Sequence, residues 1–146
     1  MRFSRAIVRT PCPSMISGLT TVDLGKPDYG LALRQHAAYV EALKECGLDV
    51  LSLEPDNRFP DSTFVEDVAL LTAECAVITR SGAPSRRGET DTVEGVLGGL
   101  FSHMERVRSP GTVDAGDILD VEGHYYIGLS QRTNADGAQQ VLQTLE

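Results

Sequence analysis

One succession of secondary-structure elements is predicted twice along this chain of 146 residues. Residues 64–108 are predicted to form two strands, a helix and a further strand, and residues 118–146 are predicted to form two strands and a helix. A unit of this size cannot bury its apolar faces alone, so repeated units stack against one another. The repetition therefore indicates an α/β fold with its loops on one face, as in a propeller or another pseudosymmetric array.

The segment before the repeat predicts a different set of elements. Residues 6–8 are apolar and predict a short buried strand, and residues 50–53 predict the next one. Between them, a helix is predicted to begin at Pro27-Asp28 and to end at Gly47. Residues 11–27 are rich in Pro, Gly, Ser and Thr, and a loop of that length is more typical of a functional or mobile segment than of an inert connection.

Within the first repeat, Phe64–Leu71 predicts a strand interrupted by two acids, and residues 76–79 predict its partner. The following helix is predicted to have an apolar face made of Val93, Val96, Leu97 and Leu100. Residues 106–108 predict a short polar strand near a sheet edge.

Within the second repeat, residues 118–121 and 125–128 predict a hairpin across Glu122-Gly123. The last helix is predicted to have an apolar stripe made of Ala138, Val141, Leu142 and Leu145. The stripe reaches the last residues without a Gly, Asn or Pro stop, and the strand that followed the previous helix has no counterpart. We therefore expect the chain to end inside a repeat, with a frayed terminal helix as the alternative.

Composition narrows the class of protein. The chain has 13 basic and 21 acidic residues, a net charge of −8, which argues against general nucleic-acid binding. No apolar run approaches the ~20 residues of a membrane span, and the first residues lack the apolar core of a signal peptide. The cysteines Cys12, Cys46 and Cys75 are far apart and show no CxxC spacing. A cytoplasmic protein with reduced thiols is the expectation.

Acidic side chains mark two loops. The motif FPDSTFVED contains Asp61, Glu66 and Asp67 in an otherwise apolar stretch, either as partly buried groups that need a partner or as a surface turn. If this stretch is a regular strand, Glu66 and Asp67 point to opposite faces. The motif PGTVDAGDILDV places Asp114 and Asp117 on a glycine-rich loop.

A metal site is not predicted from these residues. The glycine-rich loop lacks the alternating acids and the distal Glu of a calcium loop. His36, His103 and His124 show no spacing typical of zinc or magnesium ligands.

Arginines mark two other loops, each just before a helix. SRRGE contains Arg86, and QRTN contains Arg132. Arginine suits bidentate binding of a carboxylate, although a solvated surface arginine is the common alternative. Acids on one pair of loops and arginines on another predict a site for a small zwitterion, whose cationic end the acids would hold and whose carboxylate the arginines would hold.

Several motifs together resemble one known family. FPDSTFVEDVALL, ITRSGAPSRRGE, GTVDAGDIL and IGLSQRTNADGA are similar, in that order and at similar spacing, to dimethylarginine dimethylaminohydrolase, as are AIVRTPCPSMISGLT and DLGKPDY before them. The resemblance extends over essentially the whole chain. It implies the guanidino-modifying superfamily and a pentein fold, an α/β propeller of five ββαβ units. This chain, residues 1–146, would supply the N-terminal part, about half of that single catalytic domain.

The resemblance also implies a reaction and a set of roles. A Cys attacks the guanidinium carbon, a His acts as acid and base, and dimethylamine leaves to give citrulline, with no cofactor or metal. Asp67 resembles the carboxylate that binds the guanidinium, and Asp114 resembles the acid that orients the His. Arg86 and Arg132 resemble the clamp on the substrate carboxylate. The remaining substrate contacts implied by the resemblance are Leu19, Asp61 and Glu66.

The sequence departs from the family pattern in one important respect. No residue here corresponds to the catalytic His or to the nucleophilic Cys, which the family carries in its second half. We therefore expect the chain alone to show little hydrolysis and to need that C-terminal half as a partner, with a homodimer also possible. Two alternatives stay open: an arginine deiminase or other guanidino hydrolase, and a non-catalytic module that binds arginine-like ligands.

Overall fold

The computed structural model describes residues 3–145. The chain divides into two compact units, Met1–Val65 and Glu66–Glu146. Each unit has its own α and β elements, and each is described separately below. The mixed α/β class predicted from the sequence is confirmed.

The first unit is built on a parallel pair of strands. Strand β1 (Arg5–Arg9) pairs in parallel with β2 (Asp49–Leu53). Parallel strands need a crossover connection, and helix α1 (Tyr29–Glu45) supplies it. The Asp28 carboxylate accepts a hydrogen bond from the Leu31 N–H at 2.8 Å and so caps the start of α1. Gly47 follows with a φ of +84°, a conformation that favours glycine, so both predicted ends of the helix are confirmed.

The second unit contains the two predicted repeats. In the first repeat, β3 (Ala69–Leu71) pairs antiparallel with β4 (Ala76–Ile78), and β4 pairs in parallel with β5 (Met104–Arg106). Helix α2 (Thr90–Leu97) connects β4 to β5. The observed order is therefore the predicted strand, strand, helix, strand.

The second repeat follows the same order as far as the described residues go. Strands β6 (Ile118–Val121) and β7 (His124–Ile127) form an antiparallel hairpin, and helix α3 (Ala135–Leu145) comes next. Glu122 and Gly123 have φ values of 53° and 85°, which form the tight turn predicted at this position.

The core of the second unit joins the two repeats. Its buried residues are Cys75, Val77, Val107, Val113 and Val141, against which Leu70, Ile118, Ile127 and Leu145 pack. These side chains come from strands of both repeats, from the segments next to those strands and from α3. Of the predicted apolar stripe of the last helix, Val141 and Leu145 pack in this core and Ala138 is buried, whereas Leu142 is exposed, so the prediction is wrong for Leu142.

The predicted strand over Phe64–Leu71 is wrong in its first half. Residues Val65–Asp67 form a turn of 3₁₀ helix, and the strand begins only at Ala69. A turn closed by the Phe64 N–H donating to the Asp61 carbonyl at 3.0 Å leads the backbone into this conformation. Strand alternation therefore does not govern the directions of Glu66 and Asp67.

Two element ends also differ from the prediction. Helix α2 ends at Leu97, with Gly98 as its C-cap, so Leu100 lies beyond the helix and is exposed. The polar strand predicted at 106–108 is observed at Met104–Arg106, at one edge of its three-stranded sheet.

Candidate active site

Arg86 lies at the centre of a charged cluster in the second unit. Its side chain is almost fully buried, on the 3₁₀ helix Pro84–Glu89. Its Nη1 donates to Oδ2 of Asp67 at 2.6 Å, and its Nη2 donates to Oε2 of Glu89 at 2.8 Å. Its Nε lies 3.1 Å from both Glu89 oxygens. Burial alone would lower the pKa of Arg86, but hydrogen bonds and charges from Glu89 and Asp67 raise the pKa above its ordinary value.

Asp114 is a buried acid beside this cluster, only 2% exposed. Neither of its carboxylate oxygens has a hydrogen-bond partner among residues 3–145. The nearest cationic groups are Nη1 of Arg132, at 3.6 Å from Oδ2, and Nη1 of Arg86, at 3.9 Å. Burying a carboxylate without hydrogen-bond donors is costly, so such a group is typical of a site that receives a donor from elsewhere.

Asp67 is held close to the loop that contains Asp114. A Cβ atom added at Gly116 would lie 2.6 Å from Oδ1 of Asp67, so only glycine leaves room for the carboxylate there. The Thr79 hydroxyl donates to the Asp67 carbonyl at 2.9 Å and fixes the backbone on the other side. The Asp67 side chain remains partly accessible, which leaves its carboxylate able to contact a ligand.

Glu66 lies next to Asp67 but differs in its surroundings. Glu66 is exposed to solvent, whereas Asp67 is half-buried. Desolvation by the neighbouring protein raises the pKa of Glu66, and the negative charge of Asp67 adds to this effect.

Arg132 has a half-exposed side chain on the loop between β7 and α3. Its backbone is tightly packed, because a Cβ atom added at Gly82 would lie 2.5 Å from both Cα and O of Arg132. The loop before α2 and the loop before α3 therefore meet backbone to backbone. Asp67, Arg86, Asp114 and Arg132, all predicted from the sequence as site residues, form one cluster.

Two further predicted residues come together in the first unit. Asp61 is buried, and its Oδ1 and Oδ2 accept from the Leu19 N–H at 3.0 and 3.2 Å. Residues from 15–27 and 60–64 line a cavity of about 650 Å³ next to this pair. The loop at 11–27 thus contacts the acidic motif through the bond between Leu19 and Asp61. The same loop contains a short 3₁₀ helix at Pro13–Ser17.

Sequence reasoning missed Glu89, which is buried and forms the second ion pair of Arg86. The only signal was its position three residues after Arg86. It also missed the hydroxyl groups of Ser130 and Thr133, which contact the Asp117 carboxylate.

Within residues 3–145, no group of three or more His, Cys, Asp or Glu side chains is arranged to hold a metal ion. None of the described helices combines the length and apolarity needed to cross a membrane.

The chain matches known sequences over most of its length. The family model for eukaryotic N,N dimethylarginine dimethylhydrolase matches residues 28–146. The N(G),N(G)-dimethylarginine dimethylaminohydrolase of Pseudomonas aeruginosa is 54% identical over 145 residues, which covers 99% of this chain and 57% of that protein. The protein of the same name from Streptomyces coelicolor is 44% identical over 147 residues, with 57% of its length covered.

Solved structures agree with these matches. A mutant of the Pseudomonas aeruginosa dimethylarginine dimethylaminohydrolase in complex with citrulline superposes with a TM-score of 0.98 at 53% identity, covering 99% of this chain and 57% of that one. The N-terminal domain of ArgZ, a cyanobacterial arginine dihydrolase, gives 0.86 at 18% identity, covering 99% of this chain and 55% of that one. The second likeness shows the fold alone.

The repeated α/β units and the cluster of acids and arginines define a protein of the pentein superfamily. The family follows from the sequence matches. The chain belongs to the dimethylarginine dimethylaminohydrolase family, which confirms the resemblance found in the sequence. It spans 57% of the length of the Pseudomonas and Streptomyces relatives.

Proposed function

We propose that the protein hydrolyses Nω-methylated arginines to citrulline and methylamine or dimethylamine. Family membership supports this reaction, as does the citrulline bound to a structural relative. The observation that carries the proposal is the buried carboxylate of Asp114, which lies within ion-pair distance of Arg86 and Arg132 but has no hydrogen-bond partner among the described residues. This acid is ready to accept a hydrogen bond from a group that the described residues do not supply.

Asp67 is proposed to bind the substrate guanidinium. A carboxylate–guanidinium pair is charge-assisted and holds the reacting carbon in a fixed orientation for attack. Its Oδ2 is already bound to Arg86, so Oδ1, which faces Gly116, is the oxygen left for a substrate. Asp67, Glu89 and Asp114 carry three negative charges against two positive charges on Arg86 and Arg132, a balance that suits a cationic ligand.

Arg132 and Arg86 are proposed to bind the substrate carboxylate. Arg132 offers a half-exposed guanidinium. Arg86 already donates to Glu89 through Nε and Nη2 and to Asp67 through Nη1. We therefore propose Arg132 as the main member of the clamp. Leu19, Asp61 and Glu66 are proposed as further substrate contacts.

Asp114 is proposed to orient a catalytic His by accepting its N–H. A Cys thiolate attacks the guanidinium carbon, and the His gives a proton to the departing amine. Water then displaces the sulfur to give citrulline. A cation next to the Cys lowers the thiol pKa, so the bound substrate favours its own nucleophile.

The His and the Cys are proposed to come from sequence outside these 146 residues. The relatives are longer, since the chain spans 57% of their length. On this proposal the chain is the N-terminal part of a propeller of five ββαβ units, and the 146 residues alone are inactive. Tyr125, Tyr126 and the other residues of the second hairpin would then belong to a repeat whose last strand lies in the second part.

The proposal is tested with the product of the whole gene. Citrulline is measured from dimethyl-L-arginine, monomethyl-L-arginine and L-arginine, with Asp114→Asn as the matched variant. We expect turnover of the methylated substrates and a loss of at least about 100-fold in kcat for the variant. Preferential turnover of L-arginine would instead indicate an arginine deiminase. Binding without turnover would indicate a ligand-binding module.

A further inference from the structure

The Asp117 carboxylate accepts hydrogen bonds from two hydroxyl groups. None of the proposed substrate contacts accounts for this arrangement. Oδ2 of Asp117 accepts from Ser130 Oγ at 2.7 Å and from Thr133 Oγ1 at 2.6 Å. Hydrogen bonds from hydroxyls to an ionised carboxylate are short and strong. Both hydroxyl protons are therefore directed at one oxygen, and the lone pairs of both hydroxyls are free to accept other donors.

Those lone pairs accept backbone N–H groups of the site. Ser130 Oγ accepts from the N–H of Arg132 at 3.0 Å and from the N–H of Thr133 at 3.1 Å. Thr133 Oγ1, which is fully buried, accepts from the N–H of Asp114 at 3.2 Å. The Asp117 carboxylate thus orients both hydroxyl groups, and these hydroxyl groups accept the backbone N–H groups of Arg132 and Asp114.

The backbone of Asp117 closes the same network. Its N–H donates to the Asp114 carbonyl at 3.0 Å, and its carbonyl accepts from the Gly128 N–H at 2.9 Å. The loop of Asp114 and the loop of Arg132 are therefore both attached to this one residue.

Arg132 needs such support more than Arg86 does. The Arg86 guanidinium is fixed by Asp67 and Glu89, whereas the Arg132 guanidinium has a 3.6 Å approach to Asp114 and is half exposed. A long side chain with so little to hold it is positioned mainly by its backbone. The hydroxyls bound by Asp117 fix that backbone.

We propose that Asp117 is a positioning residue for carboxylate recognition, acting through Ser130 and Thr133 to present Arg132 to the substrate. This inference rests on the proposed function, in which Arg132 binds the substrate carboxylate. Ser130 serves the Arg132 turn alone, whereas Thr133 also holds the Asp114 backbone. A variant of Ser130 should therefore affect substrate binding alone, whereas a variant of Thr133 should also affect the catalytic step.

The test uses Ser130→Ala, Ser130→Thr and Asp117→Ala in the product of the whole gene. Ser130→Ala removes the hydroxyl and its three hydrogen bonds, to the Asp117 carboxylate and from the N–H groups of Arg132 and Thr133, so KM for methylarginine should rise by at least about tenfold, with kcat within about twofold. Ser130→Thr restores a hydroxyl and should recover most of the KM. Ser102→Ala, at an exposed serine outside the network, is the control and should match wild type.

A substrate without a carboxylate separates positioning from general stability. With Nω-methylagmatine, Ser130→Ala should behave as wild type, and in an Arg132→Ala background it should add nothing to KM for methylarginine. An equal KM increase with both substrates, or an additive effect in the Arg132→Ala background, would overturn the proposal.

Failure of the proposed function can be distinguished from failure of the positioning role. If wild type turns over no methylarginine, the positioning role is read from amide hydrogen exchange. Faster exchange at Arg132 and Thr133 in Asp117→Ala, by at least about tenfold, supports the network, and unchanged exchange overturns it.

Discussion

Arg86 and Asp67, 19 positions apart in the chain, are joined by a hydrogen bond of 2.6 Å between Nη1 and Oδ2. The bond connects the 3₁₀ turn before β3 to the 3₁₀ helix before α2. Glu89 binds the opposite edge of the same guanidinium. The position of the Asp67 carboxylate therefore depends on Glu89 as well, because Glu89 holds the arginine to which Asp67 is bound.

Removing Glu89 should destabilise the protein. Glu89→Ala leaves the buried Arg86 charge with one fewer partner, and breaking a buried pair in this way costs about 3 kcal/mol. Urea unfolding measures the free energy of unfolding, with Glu74→Ala, at an exposed acid, as the control within about 0.5 kcal/mol of wild type. Equal stability of the two variants would contradict the role given to Glu89.

Gly116→Ala should displace the Asp67 carboxylate. The added Cβ would lie 2.6 Å from Oδ1, so either Asp67 or the glycine-rich loop has to move. We expect a loss of about 1–3 kcal/mol in stability and a higher KM for methylarginine. Gly95→Ala is the matched control, because open space surrounds that position in α2 and the change should stabilise the helix by about 0.5–1 kcal/mol.

The charge of Asp67 should matter more than its shape. Asp67→Asn keeps the size of the side chain but removes the charge that binds a guanidinium, so most substrate binding should be lost. Isothermal titration of methylarginine with the product of the whole gene measures this affinity. Wild-type affinity in the variant would show that Asp67 has another role.

Arg132→Ala should mainly raise KM. The side chain is half exposed and lies beside Asp114, so its loss removes carboxylate binding and leaves the fold in place. Steady-state kinetics should show KM raised by at least about tenfold, since hydrogen bonds to charged groups contribute about 1.5–3 kcal/mol. A fall in kcat with unchanged KM would place Arg132 in the chemical step instead.

The stability effect of Glu66 should depend on pH. Desolvation raises its pKa in the folded protein, so the folded state favours the protonated carboxyl. The contribution of the protonated Glu66 carboxyl to stability is fully present below its pKa in the unfolded chain. It is lost as pH rises through its pKa in the folded protein. Glu66→Gln should therefore gain stability relative to wild type between pH 4 and about pH 7, as measured by urea midpoints. A constant difference across that range would contradict the shift.

Local sequence patterns predicted the elements well because their causes are local. Asp28 and Gly47 bound α1 as expected, and Glu122-Gly123 form the hairpin turn. The strand predicted over Phe64–Leu71 was wrong because the turn at Asp61 sets the backbone at Val65–Asp67, and apolar pattern alone does not reveal such a turn.

The candidate site was predicted in its residues more fully than in its geometry. The resemblance pointed to Asp67, Arg86, Asp114 and Arg132, and the structure brings these four together. It could not show that Glu89 occupies Arg86, because that contact depends on the path of one 3₁₀ turn. The roles of all these residues stay predictions until the variants are measured.

The close approach of Gly82 to the Arg132 backbone has a mechanical consequence. With no side chain between them, the two arginine loops cannot slide past each other without a collision of main-chain atoms. A disturbance that reaches one loop is therefore transmitted to the other as a rigid displacement. The spacing between the two loop backbones is thereby set before any ligand arrives, so the entropy lost in ordering these backbones is lost during folding instead of binding.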